Sequence, residues 1–262
     1  MLKDKVAIIT GSVNGGIGFA TARALAREGA SIMLNGFAGK DVVDARIAEL
    51  KSTYGVNAEY HGADVRRPDE MKDLVRTTKD HLGSVDILVN NAAVRHFGKI
   101  EDFSAEDWDE SMAVNVSAPF HMIKFALPHM KERGWGRIIN ISSTFGFIAA
   151  PERVDYVTTK TALLGLTRAV AIENAKTAIT CNAICPGTTL TPPIESRIQK
   201  LMADENLERD AAITKFMAPK APSGRFVDEN NIAGLIAFLC GPYSADFNGA
   251  ALPIDAGWLS GR

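Results

Sequence analysis

Thr10-Gly11-Ser12-Val13-Asn14-Gly15-Gly16-Ile17-Gly18 stands between a short apolar run, Lys5–Thr10, and a segment of helical periodicity, Ala20–Glu28, that stops at Gly29. Strand, glycine loop and helix in that order form a dinucleotide-binding turn. Glycines let the backbone bend sharply and approach a pyrophosphate, and the helix N-terminus offers free N–H groups and partial positive charge. The candidate contacts are Gly11, Ser12, Asn14, Gly16, Ile17 and Gly18. A glycine loop alone is a weak signal; its flanking strand and helix carry the weight.

The same alternation continues along the chain. Ser31–Asn35, Asn57–Gly62, Val85–Asn90, Gly136–Ser142 and Ile179–Cys185 read as strands, and Ala250–Ile254 as a seventh. Helical segments fall around Val42–Thr53, from Pro68, from Glu106 to Arg133 and from Arg153 to Asn174. Apolar strands separated by helices imply a parallel sheet covered on both faces. The expected fold is α/β, a doubly wound, Rossmann-type sheet in three layers, built as one domain over residues 1–262. One long stretch, Thr188–Gly224, reads as irregular and rich in Pro, Lys and Glu. It follows the sixth strand, where it would overhang the ligand-binding edge, either as a substrate lid over 188–224 or as a passive surface excursion.

Composition narrows the function classes. Hydrophobic residues at 46 % and charged residues at 23 % are a globular mixture. A net charge of −2 with no basic block argues against nucleic acid. No apolar run approaches the ~20 residues of a membrane span, and the opening Met1-Leu2-Lys3-Asp4-Lys5 lacks a secretory pattern. Cys181 and Cys185 on one strand face would lie roughly 13 Å apart at ~3.3 Å per residue, too far for a disulfide. With Cys240 they read as buried free thiols, which fits the cytoplasm. The histidines show no metal-like grouping, so no metal is expected.

The chemistry falls on Tyr156-Val157-Thr158-Thr159-Lys160. Tyr and Lys four apart share a helical face. A tyrosine of pKa ~10 is a poor base at neutral pH, and a neighbouring ammonium favours its phenolate. The pair can then serve as general acid or base on a hydroxyl or carbonyl. Ser143, thirteen residues earlier at a strand end, can hold the substrate oxygen; Ser142 is its rival. Asp64-Val65, after the third strand, can accept from an adenine amino group or be a solvated loop. Asn90-Asn91-Ala92-Ala93 is either a close-approach turn for the cofactor or an ordinary strand end.

The ordered set of glycine loop, Asn-Asn-Ala-Ala turn, Asn115, Ser143, Tyr156, Lys160 and Pro186-Gly187 resembles the short-chain dehydrogenase/reductase family over nearly the whole chain. The resemblance implies that Tyr156 moves the proton, Ser143 polarises the substrate oxygen, Lys160 holds the nicotinamide ribose and Asn115 supports a relay water. It implies cofactor contacts at Phe37, Asp64, Val65, Asn91, Ala92, Pro186, Gly187, Thr189 and Thr191 as well, and a homotetramer built on the Glu106–Arg133 and Arg153–Asn174 helices. The chain departs from the family pattern in two places. The glycine loop is one residue longer, so Gly15 or Gly16 takes the middle role, with Gly16 preferred; and Ala93 stands where glycine is usual. Family members that use NADP carry a basic residue in the loop or after the second strand. Ser12-Val13-Asn14 and Asn35-Gly36-Phe37 carry none, so NAD is expected, with Lys40 the nearest cation.

Within the family the chain is similar to the D-3-hydroxybutyrate dehydrogenases in Leu34-Asn35-Gly36-Phe37, Ala126-Leu127-Pro128-His129-Met130 and Gly257-Trp258. Its substrate positions differ: Arg95, Phe145, Arg153 and Arg197 replace that group's Gln, His, Lys and Gln, and Thr188 its Trp. Arg153 and Arg197 also resemble the sulfonate-binding arginines of R-2-hydroxypropyl-coenzyme M dehydrogenases. Guanidinium forks match carboxylate, phosphate or sulfonate oxygens. The expected partner is therefore a small anionic hydroxy substrate contacting Arg95, His96, Ser143, Phe145, Arg153, Tyr156, Thr188, Arg197 and Trp258. Competing readings are solvated arginines, a packing role for His96 and Trp258, a neutral or aromatic ketone packed on Phe145, and a non-catalytic dinucleotide sensor.

Overall fold

The computed structural model describes residues 1–261. Its seven strands form one parallel sheet in the order β3-β2-β1-β4-β5-β6-β7. They are β1 (Val6–Ile9), β2 (Ser31–Asn35), β3 (Ala58–His61), β4 (Ile87–Asn90), β5 (Gly136–Ile141), β6 (Ile179–Pro186) and β7 (Ala251–Ile254). The order reverses between β1 and β4, and the crevice at such a switch point is where open α/β sheets take ligands.

Period-two alternation divides the core. Ala7, Ile9, Ile32, Leu34, Ile87 and Val89 face helices α1 (Gly16–Arg27), α2 (Lys40–Tyr54) and α9 (Glu229–Cys240). Ile8, Met33 and Leu88, one residue out of phase, face α3 (Pro68–Leu82), α5 (Ala118–Arg133) and α6 (Val154–Glu173). Because both faces are covered, the strands read as unbroken apolar runs.

Four elements depart from the sequence reading. First, α1 starts at Gly16, so the glycine loop itself makes the helix's first turn. Second, the helical stretch from Glu106 to Arg133 is broken into α4 (Ala105–Met112), a π-helical turn (Ala113–Ser117) and α5. Third, α9 has no counterpart in the sequence reading. Its run Ile232–Cys240 is nearly all apolar, so no amphipathic period marks it, although Asp228 caps its start by accepting from the Asn230 N–H at 2.7 Å. Fourth, 188–224 is mostly helical: α7 (Pro192–Glu205) and α8 (Arg209–Met217) pack on each other. The pair has a small core of its own, including Ile194, Ile198, Ala212, Phe216 and Met217. That core is built across two short helices, which no local pattern shows. No helix among the described residues is long and apolar enough to cross a membrane.

Candidate active site

The glycine loop is shaped by close approach. A Cβ on Gly18 would lie 2.5 Å from the Gly11 carbonyl oxygen and 2.6 Å from the Asn91 amide nitrogen; one on Gly11 would lie 2.9 Å from Ala92 Cα. Gly15 and Gly16 both have positive φ, 87° and 65°, and Gly16 faces open space. Asn91 fastens the β4 turn to this loop, donating its Nδ2 to the Thr10 and Gly11 carbonyls at 3.0 and 2.8 Å. The Thr10 hydroxyl accepts from the Asn91 and Ala92 N–H groups.

Two loop residues are spent internally. The Ser12 hydroxyl donates to the Ile9 carbonyl at 2.8 Å and its N–H donates to the Asn35 carbonyl, so the expected cofactor contact from these groups is not available. Asn14 Nδ2 donates to the Phe37 carbonyl at 2.8 Å, tying the loop to the turn after β2. The Phe37 side chain is 61 % exposed beside that turn. Asp64 is held in a fork by Arg66, whose Nε and Nη2 donate at 3.0 and 2.7 Å. That pairing keeps its carboxyl below the usual range and competes with any adenine contact. Val65, partly buried, packs against the α3–α5 core and also lines a small cleft with Thr10, Asn90 and Ala92.

A cavity of about 450 Å³ opens at the carboxyl end of the sheet. Tyr156 and Lys160, one turn apart on α6, line it with Ser143 from the end of β5. Lys160 is buried and donates to the Ile141 carbonyl at 2.8 Å, with Nζ 5.4 Å from the centre of the Tyr156 ring. Burial, together with the Arg95 charge, lowers its pKa to about 8. Ser142, the rival serine, turns inward and donates to the Lys160 carbonyl. Ser143 lies close enough to the Tyr156 hydroxyl to lower its pKa, while its own hydroxyl accepts from the Phe145 N–H at 3.2 Å.

The electrostatics of Tyr156 differ from the expected scheme. Desolvation raises its pKa, opposed first by Arg95, then by the Ser143 hydrogen bond and Arg153. The cations that lower the pKa of the phenol are thus Arg95 and Arg153 of the pocket.

Asn115 occupies the π-turn between α4 and α5. Its Oδ1 accepts from the Val94 N–H at 3.0 Å, and its Nδ2 donates to the Val94 carbonyl and the Thr159 hydroxyl at 2.9 and 3.1 Å. The side chain therefore joins the β4 loop to α6, next to Arg95 and Lys160. A π-turn shifts the local hydrogen-bond register, a feature frequent at functional sites.

Arg95, Phe145, Arg153, Thr188, Arg197 and Trp258 all reach the cavity, as do Pro186, Gly187, Thr189 and Thr191. Phe145 packs edge-on against Tyr156 and Trp258, at 6.0 and 5.6 Å between ring centres. His96 does not line the cavity. Its Nδ1 lies 3.1 Å from the Ser111 hydroxyl and its Nε2 3.3 Å from Glu110, with Asp107 and Asp155 also in range. Those polar groups outcompete an open pocket for the ring, which ties the β4 loop to α4 and α6. Sequence reading missed Phe97, Phe216 and Lys220, which also line the cavity. Only membership of the 188–224 segment hinted at the last two.

The residues fit a nicotinamide dinucleotide. A Cβ at Gly11 or Gly18 would crowd the turn that forms the phosphate cradle, and Thr189 and Thr191, which line the cavity, have buried hydroxyls with no hydrogen-bond partner among the described residues. Fold and site together define a nicotinamide-dependent oxidoreductase.

A family model described as Enoyl-(Acyl carrier protein) reductase matches residues 11–259. The D-beta-hydroxybutyrate dehydrogenase of Cupriavidus necator is 40 % identical over 99 % of this chain and 100 % of its own length. That of Rhizobium meliloti is 41 % identical over 98 % and 99 %. The structure of L-sorbose reductase from Gluconobacter frateurii, complexed with NADPH and L-sorbose, superposes with a TM-score of 0.93 at 31 % identity, covering 98 % of this chain and 97 % of that one. The chain belongs to the short-chain dehydrogenase/reductase family, and it acts on hydroxyl and carbonyl groups.

Proposed function

We propose that the protein is an NAD-dependent dehydrogenase of a small anionic hydroxy substrate, of the 3-hydroxy acid or hydroxyalkyl sulfonate type. One observation carries the reading. Arg95, Arg153 and Arg197 converge on the cavity that holds Tyr156 and Ser143, and among the described residues none of the three forms an ion pair. Arginines at a solvated surface find carboxylates or water. Here burial, then Arg197 and Arg95, lower the Arg153 pKa to about 10, a site whose charge awaits an anion.

In this reading the anion docks on the guanidiniums and presents its carbinol to Ser143 and Tyr156. Ser143 holds the oxygen. Tyr156 as phenolate takes the hydroxyl proton during oxidation and returns it during reduction. Lys160 supplies a buried charge beside the cofactor ribose, and Asn115 keeps α6 and the β4 loop in register. The bound dinucleotide supplies the hydride acceptor or donor.

The choice of NAD is supported by the end of β2. Asn35 is buried and donates to the His61 and Ala63 carbonyls, and Lys40 is paired with Asp44. Arg46 is the residue that favours NADP: its Nη2 lies 3.8 Å from the Cβ position of Gly15, although Glu49 and the Phe19 ring hold it. The aromatic wall of Trp258, Phe145 and Tyr156 favours a second reading, a neutral or aromatic ketone. A homotetramer is consistent with exposed Phe120 on α5 and Ile172 on α6.

The test compares initial rates with NAD and NADP for 3-hydroxybutyrate, 2-hydroxypropanesulfonate and 2-butanol, in wild type and Arg153→Ala. An anion with NAD is expected to win, and the mutation to lower kcat/KM mainly for that anion. A preference for 2-butanol with a silent mutation sinks the anionic assignment, and a preference for NADP sinks the cofactor assignment.

A further inference from the structure

The cationic groups of the cavity form a ladder longer than one acid group needs. The Arg153 guanidinium lies 3.4 Å from the centre of the Phe97 ring, and the Arg197 guanidinium is 5.2 Å from the same centre. Arg197 is also 5.3 Å from the Phe216 ring, over which the Lys220 ammonium lies at 3.5 Å. Two rings thus space three cations from the start of α6 to the segment after α8, and Arg95 faces Arg153 and Arg197 closely enough to repel both. All four line the same cavity.

Little opposes this charge. Glu152 is the one carboxylate lining the cavity among the described residues; it is exposed, at a positive φ of 60°, and in no ion pair with the four. The Asp155 carboxylate partly offsets the charge of Arg153, though weakly, being the last of the influences on it; its Oδ2 accepts from the Ser111 hydroxyl at 2.7 Å and the His96 N–H at 3.0 Å. Arg153 Nη1 is buried with no hydrogen-bond partner among the described residues. The glycine loop contributes only Ile17 to the lining, so the phosphates expected there lie outside the ladder.

One carboxylate is satisfied by a single guanidinium fork. The Lys220 ammonium donates to the Phe216 carbonyl, a neutral partner that leaves its charge uncompensated. A single carboxylate would leave most of the ladder without a counter-charge in a partly dehydrated site, where that is costly. An oxidised nicotinamide would add a further positive ring. We propose that the substrate carries two negative charges, as a dicarboxylate or a phosphonate-type head group, and that Lys220 is the residue selecting for the second charge. This rests on the anionic reading above and deepens it. The state of Lys220 agrees: burial, then Arg197 and Arg153, lower its pKa to about 8, a penalty that a second anionic charge removes.

Two matched pairs separate charge from shape. 2-Hydroxypropylphosphonate and 2-hydroxypropanesulfonate are near-isosteric but differ by one charge when the phosphonate is fully ionised. 3-Hydroxyglutarate and 3-hydroxybutyrate differ by one carboxylate. In wild type, the dianion of at least one pair is expected to exceed its monoanion about tenfold in kcat/KM, chiefly through KM. Lys220→Met should lower kcat/KM for the dianion about tenfold more than for the monoanion, and Lys220→Arg should restore the preference.

Binding without turnover is read by thermal-shift titration with propylphosphonate and propanesulfonate. The phosphonate is expected to stabilise wild type more, and Lys220→Met to lose the difference. Monoanions equal to or better than dianions, but above 2-butanol, overturn the two-charge inference and leave the anionic reading standing. 2-Butanol above every anion overturns both. Equal thermal shifts for the two non-reacting anions overturn the inference even if no probe is turned over.

Discussion

Gly18→Ala is expected to damage both cofactor binding and stability. The new methyl would lie 2.5 Å from the Gly11 carbonyl oxygen, 2.6 Å from Asn91 Nδ2 and 2.8 Å from Ser12 Cα, whereas ordinary contact begins at 3.4 Å. The carbonyl must therefore retreat by about 0.9 Å. It cannot do so freely, since the same oxygen accepts from Asn91 at 2.8 Å, and Ser12 beside it is held by Asn35. Overpacking of this kind costs about 1–3 kcal/mol. At about 2–4 °C per kcal/mol, the melting temperature should fall by roughly 2–12 °C. A displaced loop also loses charge-assisted N–H contacts to phosphate, each worth about 1.5–3 kcal/mol, or roughly 10–150-fold in Kd. NADH fluorescence titration and a thermal melt measure the two effects. Gly16→Ala is the control: no atom lies within 4 Å of its Cβ position, but φ is 65°. In the melt it should cost only the left-handed strain, about 1–2 kcal/mol. If Gly18→Ala keeps Kd within about threefold and its melting temperature within about 2 °C, the close-approach account is refuted.

Four further outcomes are expected. Tyr156→Phe should lower kcat by about 10²–10⁴-fold, and wild-type turnover would remove Tyr156 from the chemistry. Arg95→Met should shift the pH profile of neutral-alcohol oxidation to higher pH, because Arg95 is the leading influence lowering the Tyr156 pKa and oxidation needs the phenolate; an unchanged or acidic shift contradicts this. Asn115→Ala should cost about 2–4 kcal/mol in a denaturant melt, since it strips partners from the Val94 N–H and carbonyl and from Thr159; an unchanged midpoint would show those bonds to be dispensable. Amide exchange in α7 and α8 should slow when cofactor and substrate bind together, the signature of a closing lid, and identical protection with and without ligands argues for a fixed surface element.

Residue pattern alone determined the strand–loop–helix turn at Gly11–Gly18, the seven strands, and the sharing of one helix face by Tyr156 and Lys160. These are local properties. An apolar run of strand length, a glycine cluster before a helical period, and a spacing of four are all written within a few consecutive positions. The gaps came where local pattern is silent. Helix α9 is apolar almost all round, so its period is hidden, and α7 and α8 bury each other's short faces across a loop.

On the substrate side, resemblance named Arg95, Arg153 and Arg197 one by one, but only the tertiary structure brings them together with Lys220. Arg95, Arg153, Arg197 and Lys220 are scattered over 126 positions of sequence, and their convergence on one cavity depends on where β4, α6 and the α7–α8 pair meet. His96 shows the same dependence in reverse. It neighbours Arg95 in sequence, yet its ring turns to Ser111 and the carboxylates of α4 and α6. Whether a polar side chain serves a ligand or the fold is settled by which partners lie within hydrogen-bond reach, and that is a property of packing between elements.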